Sequence, residues 1–204
     1  MKRYIAAILC TLASAVTYAG TDSFPSVIEK AQEGFFPLSS EKASTIYIDE
    51  DDFKVVEIAA GMLAEDIGRI TGNKAKTAVI QSHKMIAPGA AVIAGTLGHS
   101  RLIDWIIKNG SIDASCLEGR WESFLLVSTT HPRHSTPLLA IIGSDRRGTA
   151  YGLASLCEAI GVSPWYWWAD VTPKSKDALY IEPGIFLQKE PSVQYRGIFI
   201  NDER

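Results

Sequence analysis

The residues with the most chemical potential stand together at Asn201-Asp202-Glu203, directly after the apolar run Val193 to Ile200. In an extended chain Val193, Tyr195, Gly197 and Phe199 fall on one side of that run, and Ile198 and Ile200 on the other. A strand that is apolar on both faces reads as one inside a parallel barrel, and barrel enzymes keep their catalytic groups at the carboxyl ends of such strands. Two carboxylates and a carboxamide at that position suit proton transfer and the gripping of hydroxyl groups. Geometry narrows the chemistry. Asp202 and Glu203 are neighbours, so their side chains diverge on an extended chain and do not pair across one bond. Asn201 and Glu203 share a face. A partner for a catalytic Asp202 or Glu203 is therefore expected beyond Arg204.

Three other stretches carry candidate chemistry. Gly143-Ser144-Asp145-Arg146-Arg147-Gly148-Thr149 joins a strand to a helix with the glycine spacing of a phosphate loop, but lacks the lysine such a loop requires. Its expected role is a turn with Ser144 or Asp145 capping the helix. Ligands approach α/β sheets at such loops, so Arg146 or Arg147 is a candidate for meeting an acidic group, against the plainer expectation that both arginines are solvated at the surface. His131-Pro132-Arg133-His134 reads as a polar loop tip, because Pro132 breaks a regular helix and no carboxylate or cysteine cluster accompanies it. Trp165-Tyr166-Trp167-Trp168 is expected as a strand with rings on both sides, packing an interface, with Trp168 reaching toward a cleft as a substrate contact. No Gly-x-Ser-x-Gly elbow is present.

The elements that must position these residues follow from periodicity. Thr45 to Ile48, Thr77 to Ile80 and Ala91 to Ala94 read as strands. Acids 49–52 are expected to cap a helix carrying Phe53, Val56, Ala60, Leu63, Ile67 and Ile70 on one stripe, closed by Gly72. Leu102, Ile103, Ile106 and Ile107 mark a second helix. Phe124 to Val127 and Leu138 to Ile142 form an expected hairpin, and a third helix runs from about Gly148 to Ile160 with Gly161 as its stop. Strands alternating with helices, plus one hairpin, imply an α/β domain with a mixed sheet flanked by helices. Further strands are expected at Ala178 to Ile181 and Val193 to Ile200.

Lys2 and Arg3, the uncharged stretch Ile5 to Val16 and the small residue Ala19 have the order of a secretory signal peptide. The stretch is too short for a membrane span. Cleavage after Ala19 removes two bases and no acid, taking the formal charge from −3 to −5. No basic run suits nucleic acid. Of the three cysteines, Cys116 and Cys157 would remain; in an exported protein they could pair as a disulfide, and the expected reading is that both are small buried apolar residues. The domain reading is a signal peptide over 1–19, a lead-in over 20–44, an α/β domain over 45–182 and a linker with a further strand over 183–204.

Three long motifs in order carry a family resemblance. Gly143-Ser144-Asp145-Arg146-Arg147-Gly148-Thr149-Ala150-Tyr151-Gly152, Ser163-Pro164-Trp165-Tyr166-Trp167-Trp168-Ala169-Asp170 and Tyr195-Arg196-Gly197-Ile198-Phe199-Ile200-Asn201-Asp202-Glu203 closely resemble glycoside hydrolase family 115. The resemblance implies an N-terminal α/β domain followed by the first strand of a (β/α)8 barrel that is truncated here. It implies an inverting α-glucuronidase that releases glucuronic or 4-O-methylglucuronic acid from xylan side chains, without a cofactor or metal. Asp202 and Glu203 would be catalytic, and Asn201, Arg146 and Trp168 would bind substrate. The expected partner is the polysaccharide glucuronoxylan, with no nucleic acid and no membrane span; a homodimer of the full-length enzyme is compatible. The location would be periplasmic or secreted, and this stretch alone would be inactive. Two rivals remain: an exported carbohydrate-binding module using the aromatic run, and the N-terminal part of another exo-glycosidase such as a hexosaminidase.

Overall fold

A computed structural model describes residues 23–110 and 112–198. The expected signal peptide, the tip Asn201-Asp202-Glu203 and the end of the strand leading to it lie outside the described residues.

Six strands form the main sheet in the order β4-β3-β5-β7-β6-β9. They are β3 (Thr45–Asp49), β4 (Thr77–Ile80), β5 (Ala91–Thr96), β6 (Phe124–Thr130), β7 (Pro137–Gly143) and β9 (Ile185–Gln188). Strands β4, β3, β5 and β7 run parallel, while β6 is antiparallel to both β7 and β9. The sheet is mixed, as the alternation of elements required. Its central strands are apolar on both faces because both are covered. Along β7, Leu139 and Ile141 enter one core, and Leu138, Ala140 and Ile142 enter the other.

Helices α1 (Lys54–Thr71) and α3 (Arg146–Ile160) cover the first face, and α2 (Arg101–Gly110) covers the second. The stripe Val56, Ala60, Leu63, Ile67 and Ile70 is buried along α1 at the helical spacing read from sequence. Left-handed glycines end both long helices, Gly72 after α1 and Gly161 after α3. Lys176 ties the two ends together: its amide donates to the Ile70 carbonyl and its Nζ to the Ile160 carbonyl. A cation there also opposes the negative ends of the helix dipoles.

Glycine brings α3 close to the sheet. A methyl group on Gly148 would stand 2.1 Å from the Ser123 carbonyl oxygen, and one on Gly152 would stand 2.7 Å from an Ile141 methyl. The loop glycine Gly143 is equally confined, against the Thr149 amide at 2.1 Å. Close packing accounts for this glycine spacing without any phosphate.

Several expectations are corrected. The lead-in contains β1 (Val27–Ile28) and β2 (Phe36–Ser39), which flank β8 (Leu179–Ile181) in a separate antiparallel sheet, order β1-β8-β2. Phe36, Leu38, Leu179 and Ile181 bury into the same core as α1 and α3. Strand β9 carries the main sheet past residue 182, beyond the expected end of the domain. The described part of the expected strand over 193–200 has no strand partner. The aromatic run is not a strand but α4 (Trp165–Ala169). Pro164 holds a helical φ of −52° at its start, the Ser163 hydroxyl accepts from the Trp165 amide, and Asp170 turns left-handed at its end. Cys157 is buried in the first core and Cys116 borders the second, so the sheet separates the two free thiols. Burial raises the Cys157 thiol far above its ordinary pKa.

Candidate functional site

The chain leaves β3 through α1 toward β4, and leaves β5 through α2 toward the opposite side of the sheet. The crevice between the ends of β3 and β5 is therefore the switch point where open α/β sheets bind ligands. Here it is filled by the protein's own carboxylates. Asp49, 2% exposed, accepts from the Leu102 amide at 3.1 Å, the Asp51 amide at 3.0 Å and Arg101 at 3.0 Å. Asp52 accepts from the Thr96 amide at 2.7 Å. The acids expected to cap α1 thus reach across the crevice; the residue at the cap position of α1 is Phe53, which makes no side-chain capping bond. Asp145 does cap α3 as expected, accepting from the Gly148 amide at 2.8 Å. The Thr96, Leu102, Ser144, Gly148 and Thr149 amides, which could face a phosphate here, are already paired.

Arg146 stands at this edge, exposed, with its guanidinium 5.7 Å from the Phe53 ring centre. Phe53 in turn packs on His99 at 4.2 Å. Trp168 lies past the other end of α3 and is 83% exposed. A helix of this length spans about 20 Å at 1.5 Å per residue. The fold does not bring Arg146 and Trp168 to one site.

A groove of about 500 Å³ opens beside α3 toward α1. Trp167, Tyr151, Met62, Val162 and Pro191 give it an apolar lining, with Glu122 and Arg196 also in its wall. Trp167 lines this groove and Trp168 does not. Helical geometry splits the aromatic run: Tyr166 packs against the first core, while Trp165 and Trp167 are each 63% exposed. Arg69 fixes the run to α1, its guanidinium 4.9 Å from the Tyr166 ring while it pairs with Asp66.

Glu122 escaped the sequence reading. It is 4% exposed, accepts from Arg147 at 2.8 Å and pairs through its other oxygen with Arg196. Arg196 first, and then Arg147, hold its carboxyl below the usual carboxylate range, against the opposing effect of burial. A lone glutamate between Trp121 and Ser123 carries no local sign that two arginines, one of them distant in sequence, converge on it.

The histidine loop is also more ordered than a polar tip. His131 is 1% exposed and stacks on His134 at 4.7 Å, with the Trp105 ring tilted against it at 5.4 Å. Burial, then His134, Arg133 and His83, lower its pKa.

No family model matches the sequence, and no curated protein matches it. Among solved structures the chain is similar to a family GH115 4-O-methyl-α-glucuronidase with specificity for decorated arabinogalactans. The identity is 34%, the TM-score is 0.65, and the match covers 82% of this chain. The chain thus has a GH115-like fold, which relates it to the glycoside hydrolases. It spans 20% of that protein's length. Weaker likenesses join it to the Flavobacterium johnsoniae chitobiase, at 13% identity and a TM-score of 0.47 over 87% of this chain and 21% of that one. CpGH84D follows at 12% identity and 0.42, over 82% and 24%. Neither carries weight for function. Among the described residues no helix is long and apolar enough to cross a membrane.

Proposed function

We propose that this chain is the N-terminal part of an exported family 115 glycoside hydrolase, an inverting α-glucuronidase that releases 4-O-methylglucuronic acid from xylan side chains. The observation that carries the reading is the 34% identical structural match over 82% of the chain. The motifs from Gly143 to Gly152 and Ser163 to Asp170 lie within the ordered α/β body, where a likeness of fold and of sequence meet. In this reading Asp202 and Glu203 are the catalytic candidates and Asn201 a sugar ligand. An inverting reaction needs an acid and a base roughly 6.5–9.5 Å apart with a water between. Adjacent Asp202 and Glu203 do not meet that need together, so one of them works with a carboxylate from elsewhere in the longer protein. Arg146 and Trp168, at opposite ends of α3, would touch different parts of a polymer rather than one uronate.

Incubating glucuronoxylan with a longer protein that includes this chain tests the reading, with released 4-O-methylglucuronic acid as the readout. Decorated arabinogalactan and a hexosaminide are the competing substrates. Release from glucuronoxylan with inversion at the anomeric carbon is expected, and so is loss of that release in Asp202→Asn. Turnover of the hexosaminide alone would overturn it. The 204-residue chain by itself is expected to release nothing. The exposed indoles of Trp165, Trp167 and Trp168 favour one rival, a module that only binds carbohydrate; tight xylan binding without hydrolysis by the longer protein would establish it instead.

A further inference from the structure

After β9 the chain has no strand or helix of its own through residue 198, yet it is tethered at two points to one short stretch of the body. Arg120 pairs with Glu190, and Glu122 pairs with Arg196. The intervening Trp121 ring lies 5.8 Å from the Arg196 guanidinium. Arg196 also donates to the Val193 carbonyl at 2.5 Å, which turns the segment on itself. Its neighbours offer little hold, since Tyr195 is 89% and Ile198 92% exposed.

The second arginine is the informative one. Arg147, from α3, already neutralises the Glu122 carboxylate at 2.8 Å. Stability of the body asks for no more. Glu122 is moreover held at a φ of +51°, a left-handed conformation that costs a non-glycine residue about 1 kcal/mol or more. Its amide donates to Asp145 at 2.9 Å, which fixes that backbone and presents both carboxylate oxygens to arginines. Both partners are charged, and Arg196 reaches Glu122 with one guanidinium nitrogen while the other holds the Val193 carbonyl, so the planar group fixes direction as well as distance.

We propose that Glu122 is a positioning residue: with Trp121 it clamps Arg196 and so sets the direction in which the chain leaves the α/β body toward Asn201, Asp202 and Glu203. This deepens the functional reading above and rests on it for the role of those three residues. Because the carboxylate is the form that grips, the clamp holds at neutral pH and loosens as pH falls through the depressed value of Glu122.

Chymotrypsin cleavage after the exposed Tyr195 reads the clamp in this chain without any activity. Cleavage follows local opening, so Glu122→Gln is expected to speed it about tenfold. Arg147→Gln, which removes the body's own arm, should leave the rate within about twofold of wild type. Arg196→Gln carries the test by the same readout if Glu122→Gln does not fold. A wild-type rate in the folded variant, or equal acceleration by Arg147→Gln, would overturn the clamp. In a longer, active protein Glu122→Gln should lower kcat about tenfold with KM within about twofold, and Glu122→Asp should recover part of the loss. Unchanged turnover there would remove the positioning role. If the longer wild-type protein releases no uronic acid, the functional reading falls while the cleavage rates still decide the clamp.

Discussion

The two ends of α3 are built on opposite terms. At its N-terminal end, beside the carboxyl edge of the sheet, Asp49, Asp52 and Asp145 accept from the amides of Leu102 in α2, Thr96 at the end of β5 and Gly148 in α3. At its C-terminal end, Trp165, Trp167 and Trp168 hold large rings in water. The carboxylates of the first region are paired within the protein, leaving Arg146 exposed beside them; the second leaves apolar surface uncovered. In α/β folds the carboxyl edge is where ligands usually bind, and here that edge serves stability. Apolar rings clustered in the open are instead the mark of a surface that meets something else.

The largest loss is expected at the tight end. Gly148→Ala places a methyl group 2.1 Å from the Ser123 carbonyl oxygen and is expected to cost about 3 kcal/mol or more, because the backbone on both sides must shift. Urea unfolding of the purified chain measures it; a cost under about 1 kcal/mol would mean that α3 does not sit this close to β6. Asp49→Ala leaves the buried Leu102 amide without its acceptor. A loss of about 2 kcal/mol is expected in the same assay.

A smaller effect comes from His131, on the face covered by α2. Its folded pKa lies below the ordinary 6.5, so between the two values the unfolded chain binds the extra proton. Stability should therefore fall as pH drops below about 6.5 and level off once the folded histidine is also protonated. His131→Phe should flatten that slope, as thermal melts across the range would show. At the loose end, Trp168→Ala should change the stability of this chain by no more than about 0.5 kcal/mol, since its ring packs against little. A larger loss would show that the ring supports the body, and the contrast between the two ends would fail.

Some of this was legible in residue order. The α1 stripe, the β6–β7 hairpin, the Asp145 cap and the Gly161 stop are local patterns, and each sits where periodicity placed it. Arg146 was found as an edge residue for the same reason, because a strand–helix turn announces its own position. A run of large aromatic residues suits a strand as well as a helix; Pro164 and the Ser163 hydroxyl decide for a helix.

By itself, the sequence determined an α/β body with a mixed sheet, the ends of its helices and three motifs that resemble one hydrolase family. All of these rest on neighbours in the chain. Tertiary structure alone decided that β1 and β2 pair with β8, that β9 adds to β6 as the edge strand of the main sheet, and that Glu122 holds Arg196. The physical reason is separation along the chain. Two- to four-residue strands show no periodicity of their own, and a carboxylate gains its arginine from 74 residues away only when the fold brings the two together.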